Sequence, residues 1–83
     1  MSEQFTFRTA VEAVAFMKKI IDDYWNQLIS EEDYCKTMQG LFTIPEKRKF
    51  FLRRNNITPS AARLGKYRLE ELMRVLKLLN IIE

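Results

Sequence analysis

The stretch AVEAVAFMKKIIDDYWNQLI, residues 10–29, gives the strongest indication of the fold, because most of its apolar side chains recur at the spacing of a helix. At 100° per residue they fall within one arc of roughly 200°. The arc contains Ala10, Ala13, Val14, Met17, Ile20, Ile21, Tyr24, Trp25 and Leu28, with Phe16 and Val11 at its edges. A helix with so wide an apolar arc needs cover from two directions. Residues 10–29 are therefore predicted to form the central helix of the core.

A second amphipathic helix is predicted near the C-terminus, over residues 59–80. Its apolar face carries Ala61, Leu64, Leu69, Leu72, Val75, Leu76 and Leu79, and its polar face carries Arg63, Lys66, Glu70, Arg74 and Lys77. Gly65 and Arg68 interrupt the apolar face. Because glycine weakens a helix by about 1 kcal/mol, Gly65 is expected to divide a short helix, 59–64, from a long one, 66–80. Arg68 is expected either to pair with an acid such as Asp22 or Asp23, or to reach a carboxylate or phosphate of a partner.

Capping residues predict where the helices begin. The segments TAVE (9–12), SEED (30–33) and TIPE (43–46) each place a hydroxyl at an N-cap and an acid three residues later. Thr58-Pro59 marks a fourth start, with proline at the first helical position. The second helix is expected over 31–40, where Gly40 is a stop signal.

Strand signals are weak in comparison. Only QFTFR, residues 4–8, alternates apolar and polar side chains, and a sheet needs a second strand. Phe5 and Phe7 are therefore expected to lie on the helices as part of an extended arm. The sequence predicts one all-α domain, residues 1–83, with four to five short helices and the first helix packed against the last.

The segment KRKFFLRR, residues 47–54, combines five bases with three large apolar groups. If this segment is helical, Phe50 and Phe51 share a side with Lys47 and Arg54, so the bases do not form a separate face. The favoured interpretation is a short helix packed by its phenylalanines, with the stems of Lys47 and Arg54 covering ring edges. Contact with phosphates is the alternative. Asn55-Asn56 is expected to end this helix.

The composition argues against catalysis. The chain has no histidine, which removes the usual general base, the histidine-assisted nucleophiles and the commonest zinc ligand. It has one cysteine, Cys35, so an intrachain disulfide cannot form. Neighbouring carboxylates such as Asp22 and Asp23 point about 100° apart on a helix and do not converge. No glycine-rich phosphate loop occurs. We therefore expect no enzyme activity, no metal or other cofactor, and no small-molecule substrate.

The sequence also predicts where in the cell the protein is located. No uncharged apolar run approaches the ~20 residues that span a bilayer, and the first residues, MSEQ, lack the features of a signal peptide. Cys35 is expected to be a small buried apolar group. The sequence predicts a cytoplasmic protein without membrane contact.

Charge is distributed unevenly along the chain. Residues 1–42 carry four bases and seven acids, whereas residues 43–83 carry ten bases and four acids. This polarity suits contact with nucleic acid through the C-terminal half, and equally suits attraction between the two halves, within one chain or between two. Candidate contacts for a partner or for phosphate are Arg63, Lys66, Arg68, Arg74, Lys77, Lys47 and Arg54.

ITPSAARLG, residues 57–65, superficially resembles the start of a helix-turn-helix. Aligned on Gly65, its second helix should bury Lys66, Glu71 and Arg74, which are all charged, so the motif is excluded.

The chain end is rich in apolar side chains, which surround Asn80 and need to be covered by the fold or by a second copy. These residues are Leu78, Leu79, Ile81 and Ile82. The first functional hypothesis is therefore protein–protein binding, with self-association as a homodimer, and the alternative is nucleic-acid binding through the basic half.

Two segments carry a resemblance to known proteins. DDYWNQLISEEDY, residues 22–34, and LGKYRLEELMRVL, residues 64–76, resemble an uncharacterised family of small all-helical bacterial proteins. The likeness covers about half of the chain and leaves KRKFFLRR outside. It implies an all-helical fold and a bacterial host, transfers no site residues, and draws attention to Trp25, Gly65 and Arg68.

Overall fold

Helices dominate the computed structural model, which describes residues 5–54 and 56–82. Within these ranges the elements, in chain order, are α1 (Ala10–Trp25), α2 (Glu31–Phe42), α3 (Pro45–Arg48), β1 (Leu52–Arg53), β2 (Asn56–Ile57), a 3₁₀-helix (Ala61–Leu64) and α4 (Lys66–Leu78). Helix α1 contacts α4, as the sequence predicts, and both contact the 3₁₀-helix. No helix in the described part of the chain is both long and apolar enough to cross a bilayer.

Helix α1 begins at the predicted residue and ends four residues earlier than predicted. The Thr9 hydroxyl accepts a hydrogen bond from the Glu12 amide at 3.2 Å, and the Glu12 carboxylate accepts one from the amide of Arg8. At the other end Gln27 adopts a left-handed φ of 61°, and the Leu28 amide donates to the carbonyl of Asp23. This turn closes the helix as a left-handed C-terminal cap does.

The early end of α1 changes the environment of several predicted core residues. Leu28 lies in the connecting turn and is 71% exposed, so its assignment to the buried arc is wrong. The assignment of Trp25 to the buried arc is also wrong, since its side chain is 46% exposed. Val11, predicted at the edge of the arc, is 68% exposed, because the buried positions of α1 centre on Met17 and Ile21.

Helix α2 begins as predicted and continues past its predicted stop. The Ser30 hydroxyl accepts a hydrogen bond from the Asp33 amide at 3.1 Å. Gly40 lies inside the helix, and a Cβ there would meet the Phe5 ring at 3.9 Å, an ordinary contact. Thr43, predicted to cap the next helix, instead donates its hydroxyl proton to the Gly40 carbonyl. Ile44 is the N-cap of α3, and Pro45 begins that helix.

The prediction of a helix through KRKFFLRR is wrong beyond Arg48. The chain turns at residues 49–51 and forms a two-stranded antiparallel hairpin, in which Leu52 pairs with Ile57 and Arg53 with Asn56. Arg54 has a left-handed φ of 60°, which no helix continues through. A helix would point Leu52 away from the side that Phe50 and Phe51 share, whereas in the structure Phe51 and Leu52 are both buried. The expectation that the chain contains no second strand fails for the same reason.

The C-terminal half follows its predicted division. Thr58 accepts a hydrogen bond from the Ala61 amide, but residues 59–60 form a turn, so the 3₁₀-helix begins at Ala61, two residues after the predicted start. Gly65 has φ 90°, a value that favours glycine, and it separates the 3₁₀-helix from α4. Helix α4 ends at Leu78, two residues before the predicted end, where Asn80 adopts φ 60° and the Ile81 amide donates to the Leu76 carbonyl.

The core lies between α1, α2, α4 and the N-terminal arm. Phe5 and Phe7 are 4% and 5% exposed, which confirms that the arm lies on the helices. The Phe7 ring contacts the rings of Phe16, Phe50 and Phe51. The buried residues that join the long helices are Ala13, Met17, Ile21, Tyr34, Met38, Leu41, Leu64, Leu72, Val75 and Leu76. Cys35 is half-buried against this core as a free thiol.

Candidate functional site

The structure separates the seven candidate contact residues into two groups. Arg63, Lys66, Lys77 and Arg54 are exposed, and none of them forms an ion pair within the described part of the chain. Arg68, Arg74 and Lys47 instead bind groups of the protein itself. Positive charge alone therefore does not identify the surface available to a partner.

Arg68 joins α4 to α1 through a two-pronged ion pair. Its Nε donates to Asp22 Oδ1 at 3.1 Å, and a terminal nitrogen donates to Asp22 Oδ2 at 2.9 Å. This geometry confirms the expectation that Arg68 pairs with an acid of the protein itself. The hydrogen bonds from Arg68 hold the pKa of the Asp22 carboxyl below its usual value, with help from the charges of Arg68 and Lys18.

We expect Arg68→Ala to raise the pKa of Asp22 toward that of an ordinary aspartate. Because the native pKa lies below the unfolded one, this pair stabilises the fold above the unfolded pKa, and the contribution is lost as pH falls through the native pKa. Stability of the wild type should thus decline more steeply below about pH 4 than that of the variant.

An NMR titration of Asp22 measures its pKa, and urea unfolding at each pH measures the stability. Lys19→Ala, which removes an exposed pair with Asp23 on the same helix, serves as control. An unchanged Asp22 titration in Arg68→Ala would contradict the assignment.

Glu71 organises a second polar cluster on α4. Its carboxylate accepts a hydrogen bond from the hydroxyl of the fully buried Tyr34 at 2.9 Å and two from the Arg74 guanidinium at 2.9 and 2.8 Å. Burial and the nearby charge of Glu71 raise the pKa of Tyr34, so the hydroxyl remains a donor. The hydrogen bonds to Glu71 raise the pKa of Arg74. Tyr24 stacks on Tyr34 with ring centroids 4.1 Å apart.

Lys47 is held against the N-terminal arm. Its ammonium donates to the Phe7 carbonyl at 2.7 Å and lies 5.2 Å from the centroid of the Phe7 ring. The stem of Lys47 is predicted to cover phenylalanine rings of its own segment, and the structure places its ammonium over the Phe7 ring of the arm. Its charge is used in the fold.

An exposed surface on α4, called here the α4 surface, combines aromatic, apolar and charged side chains. It consists of two open depressions of about 560 and 490 Å³ that share Glu70 and Arg74. The first is lined also by Ile57, Leu69, Met73 and Lys77, and the second also by Trp25, Tyr67 and Glu71. Tyr67 is 75% exposed, so a large aromatic ring stands in solvent at the start of α4.

A second surface, called here the basic strip, runs beside α1 and the hairpin. It consists of two depressions of about 250 and 410 Å³ that share Ser60. Lys18 and Arg63 line the first, and Lys49 and Arg53 line the second. No carboxylate is among the described residues that line either depression. All four basic residues are exposed.

The fold itself covers much of the apolar chain end. Ile82 is 6% exposed, and Leu79 and Ile81 are half-buried against the core. Leu78 is 56% exposed and lies one helical turn after Arg74, so it extends the α4 surface. Because the fold covers most of the chain end, the apolar residues there no longer argue for a dimer. The exposed surface that a second copy could cover lies on α4.

Sequence reasoning identified only part of these surfaces. Of the basic strip it named Arg63 and, as part of KRKFFLRR, Lys49 and Arg53. It did not name Lys18, which comes to the 3₁₀-helix only through the packing of α1. Lys49 and Arg53 lie within KRKFFLRR, but their position depends on the hairpin. The mixed charge of the α4 surface was visible as Glu70 among bases. In the described part of the chain, no cluster of three or more His, Cys, Asp or Glu side chains is arranged to hold a metal ion.

Comparisons with known proteins give no further guide to function. No family model, no curated protein and no solved structure matches this chain. The resemblance of residues 22–34 and 64–76 to a bacterial helical family thus stays a prediction.

Proposed function

We propose that this chain is a non-catalytic bacterial protein of the cytoplasm that acts by binding protein, and that its partner is a second copy of itself. The observation that carries this proposal is the grouping of Trp25, Tyr67 and Arg74 around one exposed depression. These three residue types are the ones enriched among the residues that dominate binding energy at protein interfaces. Glu71 holds the Arg74 guanidinium in place, so its position needs little ordering on binding.

The charges of the α4 surface favour a second copy as partner. Glu70 and Lys77 line the same depression, lie two helical turns apart and have Met73 between them. In a two-fold symmetric pair, residue i of one chain meets residue j of the other and the reverse. If two α4 helices cross antiparallel near Met73, each Glu70 faces the Lys77 of the other chain. The surface is thus complementary to itself.

A pair of standard size would cover only a small share of the surface of each chain. A standard interface buries roughly 800 Å² on each partner, and the described chain exposes 5760 Å² in all. About one seventh of its surface would therefore be covered. Leu78 and Tyr67, at opposite ends of α4, mark the two ends of this area.

A charge-swap experiment tests the proposal. Glu70→Lys leaves only bases at positions 70 and 77, and Lys77→Glu leaves only acids, so each variant alone should self-associate at least about tenfold more weakly. Mixed together, the two variants place opposite charges across both contacts and should recover the dimer. Sedimentation equilibrium at high micromolar concentration measures the mass of each sample.

The controls distinguish whether the chain forms a dimer at all from whether the dimer forms through the α4 surface. Lys36→Glu changes charge by the same amount on α2, away from the α4 surface, and should leave the mass unchanged. Tyr67→Ala should weaken self-association without changing charge. A wild-type chain that stays monomeric overturns the proposal, and a dimer indifferent to both charge reversals overturns its placement on α4.

A further inference from the structure

We infer that the basic strip binds single-stranded nucleic acid. This inference is independent of the proposed self-association, because the two surfaces share no lining residue. Their charges differ in kind. The α4 surface mixes Glu70 and Glu71 with Arg74 and Lys77, whereas the basic strip offers Lys18, Arg63, Lys49 and Arg53 without a lining acid. A surface with charge of one sign is complementary to a polyanion.

One carboxylate on α1 lies near the strip. Asp22, one turn after Lys18, interacts with the Lys18 charge, but Arg68 holds both of its oxygens. The four cations of the strip form no ion pair within residues 5–54 and 56–82. Their charge is therefore available to phosphates at little cost in broken contacts.

Apolar side chains form the floors of the two depressions. The bases of a single strand could pack on them while the phosphates contact the basic residues. Val11, which is 68% exposed, and the buried Val14 line the same depression as Lys18 and Arg63. Phe50, Leu52 and Pro59 lie beside Lys49 and Arg53. Proteins that bind single strands combine a positive groove for the backbone with apolar and aromatic side chains on which bases rest. Phe50 is the aromatic member here, and the Lys49 ammonium lies 5.9 Å from its ring centroid.

A single strand fits this surface better than a duplex. A duplex keeps its bases stacked inside, so it would leave the apolar floors unused, and its sequence is read by an element that enters a groove. The strip offers the side of α1, the 3₁₀-helix and a hairpin of two-residue strands. None of these elements presents the row of basic and polar side chains that enters a major groove.

The test uses fluorescence anisotropy of a labelled RNA single strand of about 12 nucleotides, with single-stranded DNA and a duplex of the same sequence as further arms. For single strands the logarithm of affinity falls with that of salt concentration by about 0.7 per contacted phosphate. Four cations thus predict a slope near −3 and about a 50-fold loss of affinity between ~50 and ~200 mM salt.

Two paired variants locate the contact. Lys18→Gln with Arg63→Gln, and Lys49→Gln with Arg53→Gln, should each reduce the salt slope by about 1.4 and weaken binding about tenfold at ~50 mM salt. Lys19→Gln with Lys36→Gln removes the same charge from exposed sites outside the strip and should change affinity far less. All six side chains are exposed, so the variants should fold, and circular dichroism checks this.

The outcomes separate this inference from the proposal of self-association. In a Tyr67→Ala background, which weakens the dimer, the strip variants should lose affinity by the same factor. Absence of RNA binding at ~50 mM salt overturns the inference, as does an equal loss in the Lys19 and Lys36 control. A duplex bound as tightly as either single strand overturns the assignment to single strands. None of these results bears on the charge-swap test of α4.

Discussion

Phe51→Ala is expected to lower the free energy of unfolding by about 3–5 kcal/mol, which is a large part of the 5–15 kcal/mol available to a typical domain. The Phe51 ring is fully buried and contacts the Phe7 ring edge-on, with centroids 6.1 Å apart. It also lies against the ring of Phe42 at 5.8 Å. Removing it would open a cavity where the arm, α2 and the hairpin meet. Urea unfolding followed by circular dichroism measures the loss.

Phe50→Ala is the matched control, because the two phenylalanines are adjacent in sequence. The Phe50 ring is half-buried and contacts the Phe7 ring at 5.7 Å, so its removal should cost less than half as much. A helix through residues 47–54 would place Phe50 and Phe51 on one side and predict similar losses for both. Equal losses, or a larger one for Phe50→Ala, would therefore contradict the hairpin.

The parts of the fold that sequence reasoning predicted are those that local chemistry determines. Thr9 and Ser30 cap their helices with hydrogen bonds to amides three residues later, as TAVE and SEED indicate. The apolar face of α4 is buried at Leu72, Val75 and Leu76 and confirms its helical period. These features need information from only a few neighbouring residues.

The errors arose where distant contacts override local signals. Gly40 reads as a helix stop, but the Phe5 ring packs across it and α2 continues to Phe42. The hairpin of residues 52–57 forms because Leu52 and Ile57 pair across a turn at Arg54. Strand pairing depends on such context more than helix formation does, so alternation within five residues could not predict it.

The same limit applies to the candidate surfaces. Arg63, Arg68 and Arg74 look alike as charges on one helical segment, yet only Arg63 remains without an ion pair among the described residues. The difference comes from Asp22 on α1 and from Glu71, whose carboxylate Tyr34 of α2 also fixes. Pairing of charges between elements is a property of the packed chain, so a sequence without the fold leaves internal and external partners for Arg68 as open alternatives.

Glu71→Ala is the second change for which we expect a large effect, a loss of about 1–3 kcal/mol in the free energy of unfolding. The substitution leaves the hydroxyl of Tyr34 buried without its acceptor, and a buried donor without a partner carries its full desolvation cost. It also releases the Arg74 guanidinium, which Glu71 binds at both oxygens. Thermal and urea unfolding measure the loss. Glu70→Ala, at an exposed neighbouring position, should change stability by less than about 0.5 kcal/mol.

Combining Glu71→Ala with Tyr34→Phe decides whether the hydroxyl is the cause. Removing the hydroxyl from the variant takes away the unpaired donor, so the double variant should be more stable than the sum of the two single losses implies. Additive losses would show that Glu71 acts through Arg74 alone. In that event Arg74→Ala should reproduce the whole effect. Because Arg74 also lines the α4 surface, Glu71→Ala should in addition weaken self-association, which links the buried tyrosine to the proposed interface.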